Sequence, residues 1–145
     1  MSSEGKRYIY PLEQFARDYK IIGAWAEPQG FLNVYGILRG GIVPATFISY
    51  YLDIPLLCSS EVDRISRNTL VVEDLIDTGD TLILLEGRLG FIPTSVALFV
   101  SREAKRKPTF AVNEKRDWIQ FPWETSATSK YDGTFRKFLE AHPKP

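Results

Sequence analysis

Apolar side chains along the chain follow two alternating spacings, one typical of helices and one typical of buried strands. Leu12, Phe15, Tyr19 and Ile22 recur at helical spacing, which predicts a helix over residues 11–22. Continuous apolar runs rich in β-branched residues predict buried strands instead. The predicted strands are residues 33–38, 54–58, 69–73, 95–100, 109–112 and 117–119, and the other predicted helices are residues 43–52, 81–88 and a short one around residues 135–139.

Strands that alternate with helices are typical of a parallel sheet with helices on both faces, so the predicted fold class is α/β. In such sheets, ligands bind beyond the carboxyl ends of the strands. Three polar or glycine-rich segments lie at predicted strand ends, namely residues 39–41, residues 73–81 and the stretch after residue 100. The pattern therefore predicts that these segments meet at one edge of the sheet.

Composition limits the classes of protein to consider. The 145 residues are 44% hydrophobic and 25% charged, which is typical of one globular domain. The 18 basic residues balance the 18 acidic ones, so bulk charge gives no reason to expect nucleic acid or a membrane as partner. We find neither an apolar run of about 20 residues nor a signal-like amino terminus, and we expect a cytoplasmic protein. A single cysteine, Cys58, excludes an internal disulfide and a zinc site built from cysteines.

The most informative segment is residues 69–82, where an apolar strand leads to two adjacent carboxylates, Glu73 and Asp74. The loop that follows opens a helix, and its backbone N–H groups and hydroxyls suit a phosphate dianion. The two carboxylates suit ribose hydroxyls and a hard cation such as Mg²⁺. The pattern thus predicts a sugar-phosphate site, and the alternative is an acidic turn capped by Asp77. The loop consists of Asp77, Thr78, Gly79, Asp80 and Thr81.

This segment resembles the signature of the type I phosphoribosyltransferases for phosphoribosyl pyrophosphate (PRPP). In that signature an apolar strand, two acids and two apolar residues precede Asp-Thr-Gly-x-Thr. The resemblance implies that Glu73 and Asp74 hold the ribose hydroxyls and Mg²⁺, and that residues 77–81 bind PRPP. It also implies that Asp77 acts as a general base on the imidazole proton of a purine.

A second segment, residues 35–45, resembles the pyrophosphate-binding loop of the same family. Taken alone, the run Arg39-Gly40-Gly41 is a common turn, but here it lies one βαβ unit before the PRPP signature. The resemblance implies that Arg39 supplies charge to the diphosphate during catalysis, while Gly40 and Gly41 let backbone amides approach it. It also implies a cis peptide bond between Leu38 and Arg39.

A third segment, residues 117–124, is similar to the hood of the 6-oxopurine enzymes, especially the xanthine-guanine phosphoribosyltransferases. The resemblance implies that Trp118 stacks on the purine, that the Ile119 backbone meets the edge of the ring, and that Glu124 lies near the 2-substituent or a second Mg²⁺. The alternative is that Trp118 and Trp123 are ordinary core or interface aromatics. The implied architecture is one domain, residues 1–145, with a hood formed by the amino-terminal segment and about residues 113–145.

Two positions depart from the family pattern. The family carries a longer mobile loop, often with a Ser-Tyr pair, where this chain has only residues 59–68 and no tyrosine. In xanthine-guanine enzymes, a lysine after the strand corresponding to residues 95–100 binds the 6-oxo group of the purine. Ser101 occupies that place here, so we expect Arg102 to donate the hydrogen bond, with Lys105 as a second candidate.

Together, these resemblances imply a Mg²⁺-dependent enzyme of purine salvage. It would transfer the 5-phosphoribosyl group from PRPP to guanine, xanthine or hypoxanthine, giving a nucleoside monophosphate and pyrophosphate. Two alternatives stay open: a non-catalytic or weakly active regulator of the same fold that binds PRPP or a nucleotide, and an unrelated phosphate-binding α/β domain. The resemblance also implies a homo-oligomer, a dimer or a tetramer, whereas membrane and nucleic-acid partners are not expected.

Overall fold

A four-stranded parallel sheet in the order β2-β3-β4-β5 forms the centre of the molecule. The computed structural model describes residues 6–125 and 133–145. Every neighbouring pair of these strands is parallel, which confirms the predicted α/β class. The strands are β2 (Asn33–Gly36), β3 (Thr69–Ile76), β4 (Thr94–Ser101) and β5 (Phe110–Lys115).

Helices cover the sheet because its strands are apolar on both faces. Successive side chains of a strand point to opposite faces, so along β3 Leu70 and Val72 enter one hydrophobic cluster while Val71 enters the other. Phe15 and Ile48 cover the first cluster, from α1 and α2 respectively. The second cluster includes residues of α3 and α4. The helices are α1 (Leu12–Ala26), α2 (Ile42–Leu52), α3 (Asp80–Leu89) and α4 (Thr134–Ala141).

Strand β3 and the segment 54–58 differ from the sequence prediction. Strand β3 continues to Ile76, so the acidic pair lies inside the strand rather than at its end. The predicted strand over residues 54–58 is wrong, because this stretch forms only an isolated bridge from Leu56 to Val34. Pro55 accepts a hydrogen bond from Val34 but has no N–H group with which to extend the ladder.

A second, two-stranded parallel sheet pairs β1 (Arg7–Ile9) with β6 (Trp118–Gln120). β1 was not predicted, because its three residues are all exposed and show no alternation of apolar and polar positions. Its two strands come from the regions assigned to the hood, whose extent stays a prediction. Among the helices of the described residues, none is both long and apolar enough to span a membrane.

The short connection before β3 is folded against the sheet. It contains a 3₁₀ helix, Ser59–Arg64, in which Val62 is almost completely buried. Ile65 is buried as well, and the Tyr35 hydroxyl donates a hydrogen bond to the Ser59 carbonyl oxygen at 2.9 Å. This segment therefore forms part of the hydrophobic packing on the α3 face of the sheet.

Candidate active site

A cleft of about 670 Å³ opens where β2, β3 and β5 end. The position agrees with the general rule for parallel sheets, because the carboxyl ends of parallel strands meet at one edge. Of the residues predicted for the site, Gly41, Arg102 and the second candidate Lys105 lie outside the lining. Those that line the cleft are Arg39, Gly40, Glu73, Asp74, Asp77, Thr78, Gly79, Asp80, Thr81, Trp118, Ile119 and Glu124.

The two adjacent carboxylates are held by the backbone of β3. The Asp74 N–H donates to Glu73 Oε1 at 3.1 Å, and the Leu75 N–H donates to Asp74 Oδ1 at 2.8 Å. Burial raises the pKa of both carboxyl groups, and the adjacent charge of Asp74 raises that of Glu73 further. Within the described part of the chain, none of the recorded ion pairs involves either carboxylate. A bound cation could therefore supply positive charge to this pair.

The carboxylates of Glu73 and Asp74 fit a divalent cation that keeps part of its hydration shell. No group of three or more His, Cys, Asp or Glu side chains suited to a metal occurs among the described residues. Mg²⁺ is commonly bound by one or two carboxylates, with water and substrate phosphate oxygens completing its octahedron. Glu73 and Asp74 match that pattern, because both are oxygen ligands and both line the open cleft.

The loop between β3 and α3 is shaped by Gly79, whose φ of 89° lies in the left-handed region. A Cβ at this position would lie 2.6 Å from the Arg106 backbone nitrogen, so the loop can approach the chain after β4 only with glycine here. The Asp80 N–H donates to Thr78 Oγ1 at 3.1 Å as α3 begins. The amino-terminal end of α3 therefore borders the cleft, as a phosphate site requires.

Lys105 stabilises this loop from the chain after β4. Its N–H donates to the Thr78 carbonyl oxygen at 2.8 Å, and its ammonium lies 2.7 Å from Asp80 Oδ1. The contact of the Lys105 ammonium with the Asp80 carboxylate lowers the pKa of Asp80. Lys105 is therefore engaged with the loop between β3 and α3 and does not line the cleft.

The loop after β2 packs directly on the acidic pair. The peptide bond between Leu38 and Arg39 is cis, as the resemblance implied. A Cβ on Gly40 would lie 1.9 Å from Asp74 Oδ2, so glycine is needed for this contact. A Cβ on Gly41 would lie 2.5 Å from the Val72 carbonyl oxygen, which places Gly41 against β3 rather than in the cleft.

Aromatic residues of the segment 118–124 also line the cleft. Trp118 is 56% exposed, and Trp123, which also lines the cleft, stacks on Phe121 with ring centroids 5.1 Å apart. Trp123 thus matches the alternative of a core aromatic, and Trp118 presents an open ring to the cleft. The Glu124 carboxylate accepts the Phe121 N–H at 2.9 Å, which holds it at the rim.

The structure does not bring Arg102 to the base end of the cleft. Its side chain is 77% exposed and turns to Glu114 on the neighbouring strand, at 3.4 Å. Lys115, which the sequence analysis missed, lines the cleft instead, with its Nζ 3.2 Å from Asp77 Oδ1. Lys115 reaches the cleft because β5 pairs with β4 in a register that sets Lys115 opposite Ser101. The sequence alone does not give this register.

Curated relatives identify the family of this chain. No protein-family model matches the chain. The chain is 31% identical over 153 residues to a xanthine-guanine phosphoribosyltransferase of Desulfotalea psychrophila, covering 88% of this chain and 92% of that protein. It is 30% identical over 145 residues to the enzyme of the same name from Nitratidesulfovibrio vulgaris, covering 82% and 86%. The fold is similar to that of a Helicobacter pylori xanthine-guanine-hypoxanthine phosphoribosyltransferase, with a TM-score of 0.71, 22% identity and coverage of 94% and 100%.

Proposed function

The chain belongs to the xanthine-guanine phosphoribosyltransferase family, and we propose that it transfers the 5-phosphoribosyl group of PRPP to a 6-oxopurine. The base would be guanine, xanthine or hypoxanthine, and the products a nucleoside monophosphate and pyrophosphate. One observation supports this assignment above the others. A single cleft combines an acidic pair of which Glu73 is buried, a phosphate-type loop at a helix start and the exposed ring of Trp118.

In the proposed reaction a purine ring nitrogen forms a bond to the anomeric carbon as the bond to pyrophosphate breaks. The Thr78 and Thr81 hydroxyls and the backbone of the loop hold the 5-phosphate, which fixes the sugar beside Trp118. Asp77 accepts the imidazole proton as the new bond forms. Arg39 stabilises the charge that develops on the departing diphosphate.

We propose that Glu73 and Asp74 hold Mg²⁺ together with the ribose hydroxyls of PRPP. When bound, the ion supplies positive charge that offsets the charge developing on pyrophosphate. Glu124 is the proposed ligand for a second ion or for the 2-substituent of the base, although one of its oxygens already accepts the Phe121 N–H. Asp74 keeps its position against Gly40, so the ion and the pyrophosphate loop would share one wall of the cleft.

A homo-oligomer, dimer or tetramer, is also part of the proposal. Helix α2 exposes apolar or aromatic side chains at Phe47, Tyr50 and Tyr51, and Tyr50 is 83% exposed. Such a face is typical of a surface that another chain covers. The cytoplasmic location stays a prediction of the sequence. The regulatory alternative is not favoured, because the relatives that match most of the chain are named as transferases.

The test is a product assay with PRPP and Mg²⁺, offering guanine, xanthine, hypoxanthine, adenine and orotate in turn. We expect nucleoside monophosphate from one or more of the three 6-oxopurines, and loss of product when Mg²⁺ is chelated. The matched variant Glu73→Gln, Asp74→Asn keeps the shape of both side chains and should abolish the Mg²⁺ dependence together with most of the activity. No product from any base, with PRPP still binding in calorimetry, would favour the regulatory alternative.

A further inference from the structure

Lys115, the last residue of β5, is a cation of the cleft that belongs to none of the motifs in the sequence. Only 20% of its side chain is exposed, and its Nζ lies 3.2 Å from Asp77 Oδ1. Parallel pairing of β4 with β5 sets it opposite Ser101, and the chain reaches Trp118 three residues later. The lysine is therefore fixed beside the proposed general base, in the cleft that Trp118 also lines.

The other cations that line the described cleft lie near its phosphate-binding parts. Arg39 belongs to the loop after β2, next to Gly40 and the acidic pair. Arg136 is close enough to Asp80 at the start of α3 to lower the pKa of that carboxyl group. Among the lysines and arginines of the described cleft, Lys115 is the one that forms an ion pair with Asp77, the residue proposed to face the purine.

The chemistry of an ammonium group limits what it can face. A lysine ammonium has three N–H donors and no acceptor. One donor is directed to Asp77, which leaves two for a ligand, so far as the described residues show. These donors favour a carbonyl oxygen, and they repel the N–H donors of an exocyclic amino group.

The shape of a purine brings its 6-substituent to this ammonium. On a purine, the imidazole nitrogen of the five-membered ring and the 6-substituent lie side by side on one edge. If Asp77 faces that nitrogen to accept its proton, the 6-substituent lies next to the group that pairs with Asp77. That group is Lys115.

We propose that Lys115 is a specificity-determining residue, which donates a hydrogen bond to the 6-oxo group and disfavours a 6-amino group. The inference rests on the proposed function, because it requires a purine beside Asp77. The hydrogen bond to the 6-oxo group, which was expected from Arg102 directly after β4, is thereby assigned to Lys115 on β5. The ion pair with Asp77 orients the ammonium, so selection of the base and the position of the general base depend on the same contact.

The test replaces Lys115 with methionine, which keeps the length of the side chain and removes both charge and donors. We expect kcat/KM for guanine and hypoxanthine to fall about 10- to 100-fold, mainly through a higher KM of the base. The inhibition constant of adenine in the guanine reaction should stay unchanged or decrease. A weaker reaction with guanine together with unchanged or tighter binding of adenine indicates recognition of the 6-substituent. A general loss of structure would instead weaken the binding of both bases.

Three further variants keep the test decisive. Arg116→Gln is the matched control, because Arg116 is 81% exposed and faces Glu114 outside the cleft, and it should behave like the parent. Lys115→Gln replaces the methionine variant if that one does not fold, and should again reduce the preference for guanine over adenine. If Arg102→Met raises the guanine KM while Lys115→Met leaves it unchanged, Lys115 does not bind the base. An inactive parent would instead contradict the proposed function itself.

Discussion

Arg88 on α3 forms two parallel hydrogen bonds with Asp63, from Nε to Oδ1 at 2.8 Å and from Nη2 to Oδ2 at 2.9 Å. Asp63 lies in the 3₁₀ helix of the short connection before β3. Only 9% of the Arg88 side chain is exposed, and the pairing is bidentate, the geometry that gives an ion pair its best stability. The short segment is therefore tied to α3 by a side-chain pair as well as by its buried Val62.

Replacing Arg88 with methionine should lower the free energy of unfolding by about 1 kcal/mol at neutral pH. The Arg88 hydrogen bonds lower the pKa of Asp63. Their stabilisation is therefore present above the ordinary pKa of an aspartate, about 4, and is lost as the pH falls through the lowered value. Urea denaturation at several pH values should show the gap between parent and variant closing in acid.

Asp63→Asn and the double variant complete a cycle for this pair. We expect the effects of the two single substitutions to be non-additive, since each removes the same interaction. An equal gap between parent and Arg88→Met at pH 3 and pH 7 would show that the lost stability came from packing of the Arg88 side chain instead.

Much of the site was predictable because its chemistry and its local structure coincide in the sequence. In residues 69–82, one apolar run forms β3, the acids lie within it, and Gly79 allows the turn into α3. Contacts between strands were not predictable in this way. The place of Lys115 depends on its register with Ser101, and the direction of Arg102 depends on Glu114 one strand away.

Elements of the fold were also predictable where local sequence determines them, and were missed where a distant partner does. The two helices that flank the acidic pair each begin directly after a glycine, Gly41 or Gly79, and both were predicted within a few residues. Strand β1 has no such pattern, and it forms because β6, more than a hundred residues later, offers it a partner. The apolar run at 54–58 had the composition of a strand, but it forms a single bridge, and Pro55 has no N–H group with which to extend it.

Asp77→Asn should reduce kcat about 100-fold or more, because an amide cannot accept the imidazole proton. The amide keeps the size of the carboxyl group, so PRPP affinity in calorimetry should stay close to that of the parent. Asp117→Asn makes the same change outside the cleft and serves as the control. Parent-like turnover of Asp77→Asn would show that another group accepts the proton.

Trp118→Ala should raise the KM of the purine base about 10-fold or more, since stacking on an aromatic ring contributes about 1–3 kcal/mol per base. PRPP affinity should change little, because Trp118 belongs to β6, whereas the acidic pair belongs to β3. Trp118→Phe keeps an aromatic face and should recover most of the base affinity. A large loss of PRPP affinity in Trp118→Ala would show that Trp118 contacts PRPP rather than the base.

Gly40→Ala tests the contact between the loop after β2 and the acidic pair. The added methyl group would lie 1.9 Å from Asp74 Oδ2, so either the loop or the carboxylate must move. Moving the carboxylate would break its hydrogen bond from the Leu75 N–H. We expect kcat/KM for PRPP to fall about 100-fold, as is typical when a binding group is misplaced by about 1 Å.

The matched control for this substitution is Gly87→Ala on α3. Gly87 is exposed, and no atom lies within 4 Å of its added Cβ. Alanine there should raise the free energy of unfolding by about 0.5–1 kcal/mol, because glycine costs more conformational entropy inside a helix. Its activity should equal that of the parent. If Gly40→Ala also keeps parent-like PRPP kinetics, the loop can yield to the methyl group, and close packing on Asp74 is not what aligns PRPP.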